Sequence, residues 1–230
     1  MTELKKLASQ QANLKNTDKP LLREVAYQKL KNAIQDGELQ SGEPLYEIHL
    51  SEMLQISRTP VREALQQLVL EGLVKNMPNR AMTVAAPSME ELLNVLHIRS
   101  LIDPEIVRLV AGAVTSQVIE ELQKIIGQMQ QAAADQDRMA WAQADTRFHE
   151  TLSEACPNTI LGQFGLQMRN RIQLVATDTQ TTSKRLVECT QEHAAVVDAI
   201  ASRDADGAQA AMQQHIQCLR ESFFQRLMHM

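Results

Sequence analysis

The sequence predicts a mainly α-helical chain in two parts. Residues 21–86 read as a unit of short helices closed by a small β hairpin, and residues 87–230 as an antiparallel all-helical bundle of about six or seven helices. Three observations carry this division. From Leu92 onward apolar residues recur at helical spacing, as in Val95, Leu96, Ile102, Ile106 and Leu109, with no alternating strand pattern. Two punctuation clusters, Met77-Pro78-Asn79-Arg80 and Val84-Ala85-Ala86-Pro87, interrupt the chain before that point. Ahead of them, helical, turn and strand signals alternate within a few residues of one another. With 230 residues, 44% of them hydrophobic, each part can bury its own core, which excludes a disordered or fibrous protein.

Residues 1–20 are polar and are expected to form a flexible segment. A helix follows over roughly Leu21 to Gln35 and stops at Asp36-Gly37, where glycine suits the left-handed ending. Ser41-Gly42-Glu43-Pro44 makes a turn. Next come a short helix over Glu47 to Leu54, the turn Gln55-Ile56-Ser57, and a helix over Thr59 to Glu71 closed by Gly72. Thr59 suits the N-cap of that helix, with Pro60 at its first position, where a missing N–H does no harm. Leu73-Val74-Lys75 and Ala81-Met82-Thr83-Val84 can pair as a hairpin across Pro78-Asn79. In the second part, Ser88 and Glu91 form a capping-box pattern. The Ala/Gln-rich stretch from Gln128 to Ala134 reads as a solvated helix end, and no internal repeat is present.

Composition narrows the setting. No apolar run is long enough to span a membrane, and the polar start carries no signal-peptide pattern, so the expected location is the cytoplasm. Cys156, Cys189 and Cys218 are odd in number and widely spaced, which fits reduced thiols and small core residues. The net charge of -5 is uneven: residues 1–86 hold 11 Lys and Arg against 10 Asp and Glu, and the remainder 12 against 18. That distribution permits nucleic-acid binding by the first part without proving it.

The order helix, helix, turn, helix, hairpin is that of a winged helix-turn-helix, whose second motif helix presents its N-terminal residues to the major groove. Arg58, Thr59 and Arg62 occupy that position here, while Val61, Ala64, Leu65 and Leu68 supply an apolar back. Arg62 and Arg58 are suited to reading guanine bidentately, and Ser57, Thr59 and Arg80 to phosphate or sugar contacts. The segments Leu30 to Gly37, Ser57 to Leu65 and Glu71-Gly72-Leu73-Val74 resemble the GntR superfamily of transcription regulators. The chain departs from that family's usual pattern at Ser41-Gly42, where Pro-Gly is common, at Ile48, where Arg is common, and at Asn79-Arg80-Ala81, which lacks the wing-tip glycine.

Six histidines occur, at positions 49, 97, 149, 193, 215 and 229, and three of them fall on apolar helix stripes. Asp145 and His149 share one face, with Trp141, Phe148 and Leu152 along it; His193 lies with Cys189, Val196, Val197 and Ile200; His215 lies among Ala208, Ala211, Met212, Leu219 and Phe223. Burying three imidazoles and a carboxylate requires either a hydrogen bond for each or one divalent ion for all. Residues 92–223 resemble the FCD ligand-binding domain of the FadR branch. That resemblance implies Asp145, His149, His193 and His215 as ligands of one divalent metal ion per chain, zinc, nickel or manganese; Cys189 and Cys218, near two of the histidines in the sequence, are alternative thiol ligands. It also implies Arg99 as the group holding a carboxylate effector, against a surface salt bridge as the plain alternative; Asp103 stands where the family commonly has Glu. Arg169, Asn170 and Arg171 are candidates to line the same pocket, with no sequence ground for choosing among them.

The combined expectation is a homodimeric regulator, a repressor by default, bound to double-stranded operator DNA and controlled by a small carboxylate effector, with no membrane partner. Two other readings use the same residues. In one the ion is itself the signal; in the other the site is a metal-dependent hydrolase, for which only Glu150 and Glu192 offer a general base. The linked DNA-reading part favours a regulator over an enzyme.

Overall fold

The structure, a computed structural model, describes residues 21–35, 37–77, 81–86, 88–176 and 183–228. The segment 1–20, the wing turn with Arg80, and His229 lie outside the described residues. Residues 173–177 aside, the described residues form two compact units, one before Ser88 and one from Ser88 on.

The first unit runs α1 (Leu22–Gln35), β1 (Pro44–Leu45), α2 (Glu47–Leu54), α3 (Arg58–Leu70), β2 (Val74–Lys75) and β3 (Met82–Val84). Its three helices close on one core of Leu30, Ile34, Leu50, Leu54, Leu65 and Leu68. After α1 the chain turns at Gly37, whose φ of 76° is open to glycine at no steric cost, and Leu39 N–H donates to Ala33 O at 2.9 Å. The α2–α3 turn uses Gln55 in the left-handed region, φ 55°, which swings Ile56 into the core.

Two local expectations need correcting. Helix α3 starts one residue earlier than read, with Ser57 at the N-cap, so Thr59 is inside the helix and Pro60 is its third residue. Proline still fits there because first-turn N–H groups have no partner within the helix. The hairpin forms as expected, with Val74 opposite Val84 and Lys75 opposite Thr83, but β3 also pairs on its other side. Pro44 and Leu45, read as part of a turn, form the strand β1, giving the order β1-β3-β2. Gly42 N–H donates to Val84 O at 3.0 Å, and Val84 N–H to Glu43 O at 2.9 Å, extending the ladder.

The second unit has six helices among the described residues: α4 (Met89–Ala113), α5 (Ser116–Ala134), α6 (Arg138–Ala155), α7 (Thr159–Ala176), α8 (Ser183–Ala201) and α9 (Ala205–Met228). Five begin at a residue whose side chain accepts a first-turn N–H: Ser88, Thr115, Asp137, Asn158 and Asp204. Each such cap stabilises a helix start by about 1 kcal/mol and lets it begin directly after a short connection. Helix α4 packs on α8 and α9, and α5 on α6 and α8, around Val107, Leu122, Met129, Phe148, Val196 and Ile200. The Ala/Gln-rich end of α5 is solvated on one face only: Gln130 and Gln131 are exposed, whereas Met129, Ala132 and Ala133 are buried.

Close approach of α7 to α6 depends on Gly162, where an added Cβ would collide with the backbone carbonyl oxygen of Ser153. Because backbone cannot step aside as a side chain can, Gly162→Ala is expected to destabilise the bundle by about 1–3 kcal/mol. A thermal melt followed by helical circular dichroism would read this as a lowered Tm, and an unchanged melt would show that α7 can shift freely.

Candidate functional site

The first unit presents α3 with its apolar back inward, Val61, Ala64, Leu65 and Leu68 being buried, and Ser57, Arg58, Thr59 and Arg62 exposed. The two arginines are not independent. Arg62 Nε and Nη2 donate to the two oxygens of Glu47, each at 2.8 Å, and Arg58 Nη2 lies 3.7 Å from Glu47 Oε2. The hydrogen bond from Arg62, set against the upward push of partial burial, holds the Glu47 carboxyl below its usual range. Glu47 was not among the residues singled out from the sequence, since an acid in a first helical turn already has a sufficient local explanation in the helix dipole.

In the second unit, the residues predicted as a group do come together. One ring nitrogen from each of His149, His193 and His215 lies within 4.8 Å of the others. Helix α6 brings His149, α8 brings His193 and α9 brings His215. The rings are packed as well as polar: His193 sits 4.4 Å from the Phe148 ring and 4.5 Å from His215, centroid to centroid. Asp145 Oδ1 faces two of them, 3.6 Å from His193 Nε2 and 3.8 Å from His149 Nε2. Its other oxygen accepts from Arg169 Nη2 at 2.5 Å.

The outer nitrogens have partners too. His215 Nδ1 lies 2.8 Å from Glu192 Oε2. A carboxylate only accepts, so in the neutral imidazole the proton sits on Nδ1 and the lone pair on Nε2. Glu192 is in turn clamped by Arg185, with contacts of 2.6 and 3.0 Å. Burial pushes the Glu192 carboxyl up, but the hydrogen bonds from His215 and Arg185 outweigh it and bring the pKa down to about 2. His193 Nδ1 faces the Cys189 sulfur at 3.8 Å, and burial drives that thiol well above its ordinary pKa. Burial, helped by the cationic neighbour Arg169, also pushes His149 well below the usual imidazole range. His193 is lowered to about 3, by burial first and His215 second, and is therefore neutral near pH 7.

Arg99 is 2% exposed, which removes the surface-salt-bridge alternative. Its Nε donates to Asp103 Oδ2 at 2.7 Å, while its Nη2 is buried without a hydrogen-bond partner. Asp103 feels opposing effects, with burial raising its pKa and Arg99 lowering it; burial prevails. The three residues left unresolved on α7 now separate. Arg169 is buried against Asp145 and lines a cleft with Asp103, His149, Gly165 and Met212. Arg171 lies 3.7 Å from Glu91, and Asn170 is buried with its Oδ1 unpartnered. The alternative thiol Cys218 is half-buried and accepts from Gln214 at 3.2 Å; Cys156 is a buried core residue. His49 and His97 are exposed. Arg185, missed in the sequence, lies two helical turns before Glu192, and that spacing was the one signal available.

The donor set fits a metal ion. His193 Nε2 is fully buried and makes no hydrogen bond, although it has a lone pair or a proton to satisfy. The three imidazoles and Asp145 together present nitrogen and oxygen donors of the kind that zinc, nickel and manganese accept. Among the described residues no helix is long and apolar enough to cross a membrane.

A three-helix unit with an arginine-bearing second motif helix and a β wing, followed by a capped all-helical bundle, defines a winged-helix transcription regulator with an appended C-terminal domain. Residues 22–84 match the bacterial regulatory proteins of the gntR family, and residues 94–217 match the FCD domain. The chain belongs to the GntR family and carries an FCD domain, as the sequence resemblance implied. It is 26% identical over 210 residues to the transcriptional repressor RspR of Escherichia coli K12, covering 90% of each chain. To the repressor NanR of Cronobacter sakazakii it is 28% identical over 218 residues, covering 85% of this chain and 82% of that one. Among solved structures, E. coli McbR/YncC shares the fold with a TM-score of 0.80 at 24% identity, over 91% of this chain and 100% of that one. A GntR regulator from Rhodococcus shares it with a TM-score of 0.75 at 20% identity, over 88% and 97%. RspR and NanR are named as transcriptional repressors, not as enzymes.

The neutral, buried His193 generates a test. An unfolded histidine titrates near 6.5 and this one near 3 in the folded chain, so between those values the unfolded state binds the extra proton. The resulting stability is present in full above pH ~6.5 and is lost as the pH falls towards ~3. In chelator-treated protein, urea unfolding is expected to show stability falling from pH 7 to 5, by up to about 1.4 kcal/mol per pH unit from this residue. His193→Gln should flatten that slope; equal slopes in the two proteins would remove His193 as the source.

Proposed function

We propose that this regulator is a cytoplasmic repressor that binds operator DNA as a homodimer and is controlled by a small organic acid held at a metal-containing site in its C-terminal domain. In this reading Arg62 and Arg58 contact base edges, Ser57, Thr59 and Arg80 contact the backbone, and Asp145, His149, His193 and His215 hold one divalent ion per chain. The observation that carries it is the cluster of three imidazoles within 4.8 Å, one of them with a buried, unpartnered Nε2. A bound ion would supply a positive centre that attracts a carboxylate.

The chain's own residues do the rest. Glu192 fixes the tautomer of His215 so that Nε2 faces inward, and Arg185 fixes Glu192. Arg169 holds one oxygen of Asp145 and leaves the other towards the histidines. Arg99 keeps one buried donor free for an anion. A buried ion pair with an unfilled donor stabilises a fold poorly, which favours a ligand role for Arg99. Relatives named for the galactonate operon and for the L-lactate dehydrogenase operon, both from E. coli K12, support an organic acid as the effector class. Control of DNA binding requires that this acid bind the DNA-competent and DNA-incompetent arrangements unequally.

Native mass spectrometry of protein purified without chelator or an immobilised-metal column tests the site. The expected species is a dimer with one metal ion per chain. A metal-free protein that also fails to take up added zinc, nickel or manganese would leave the histidines as hydrogen-bonded core residues and overturn the reading. Glu192→Gln is expected to weaken metal affinity by about 10–100-fold through its hydrogen bond to His215. A competition titration with a chromogenic chelator would read the change, and an unaltered affinity would mean that the Glu192 carboxylate does not tune the site.

A further inference from the structure

Glu47 is the first residue of α2 and reaches across to Arg62 on α3. Both arginines near it are more than half exposed, at 57% for Arg58 and 55% for Arg62, whereas Glu47 is 22% exposed. Exposed ion pairs add little to stability unless they are bidentate, as this one is, and a bidentate contact also fixes the orientation of the guanidinium. The guanidinium is planar, with five N–H donors and two edges able to engage a pair of acceptors. Glu47 occupies the side edge, Nε and Nη2, at 2.8 Å on each oxygen. The end edge, formed by Nη1 and the second N–H of Nη2, stays open.

We infer that Glu47 is a positioning residue for base recognition: it clamps Arg62 by its side edge so that the end edge meets guanine O6 and N7 in a fixed orientation. Its negative charge beside Arg58 and Arg62 also opposes docking of a phosphate in their place, which holds down sequence-independent binding. An unclamped arginine serves a phosphate as readily as a base; a clamped one is committed to a planar pair of acceptors. The inference rests on the proposed reading of α3 as the recognition helix.

The test uses the full-length chain in four forms beside the wild type: Arg62→Ala, Glu47→Gln, Glu47→Asp, and Glu52→Gln, which removes the same charge from an exposed position on the same helix. Each is taken through selection from a randomised duplex library. Each is then titrated against the duplex selected by the wild type and a scrambled duplex of equal length, at several salt concentrations. Arg62→Ala is expected to lose the guanine preference at one position of each half-site. Glu47→Gln should flatten the preference at that same position and reduce the ratio of specific to scrambled binding by roughly tenfold, with scrambled binding equal or tighter. Glu47→Asp, which keeps the charge on a shorter arm, should flatten the preference without tightening scrambled binding. Glu52→Gln should leave the selected sequence unchanged. If Arg62→Ala selects the wild-type sequence, the recognition-helix reading falls and the inference with it. If Arg62→Ala shifts the selection but both Glu47 variants keep the wild-type sequence and ratio, α3 reads DNA and Glu47 does not position its arginine.

Discussion

Ionisable side chains inside an apolar helical bundle must find partners, and the C-terminal unit is arranged around that requirement. Asp145 on α6 meets Arg169 on α7; His215 on α9 meets Glu192 on α8; Arg99 and Asp103 meet one turn apart on α4. The two pairings between helices fix rotation and height, because a side chain that slides by a residue loses its partner and keeps its desolvation penalty. The apolar packing of Phe148, Val196 and Ile200 would tolerate several registers. The polar centre tolerates far fewer, which is the sense in which buried polar groups specify a structure while adding little to its stability.

The N-terminal unit answers to a different constraint. Its small core needs one face of α3 entirely, so the opposite face is free to carry charge. Pairing with β3 on both sides ties the wing strand into the same sheet as the segment before α2. Helix α3 is therefore held from behind by packing, while the Glu47 ion pair engages one edge of Arg62 on its exposed face.

Much of this was legible because helices announce themselves twice, through apolar spacing and through their ends. Ser88, Gly37 and Gly72 were read correctly as helix ends, and Gly37 and Gly72 both adopt positive φ. The four-residue spacing of Asp145 and His149 put both on one face, and the structure keeps them there. What escaped was pairing across elements. A two-residue strand such as β1 has too few positions to show alternation. Arg169 could not be told from Arg171 by spacing alone, since the two differ by 200° around a helix whose own orientation was unknown. Glu47 was hidden by having an adequate local reason to be where it is.

Each of three cations around the histidine cluster has a carboxylate partner. Arg99 is matched by Asp103, Arg169 by Asp145 and Arg185 by Glu192, while His149 and His193 are neutral near pH 7. A divalent ion placed among them would add two positive charges to a region where unbalanced charge is expensive. Under the proposed reading, cation and anion uptake would be mutually dependent, each tightening the other by the same factor. A sensor of the proposed kind would register an organic acid only where its ion is already in place, so that the cell's metal supply would set the threshold at which the acid is heard.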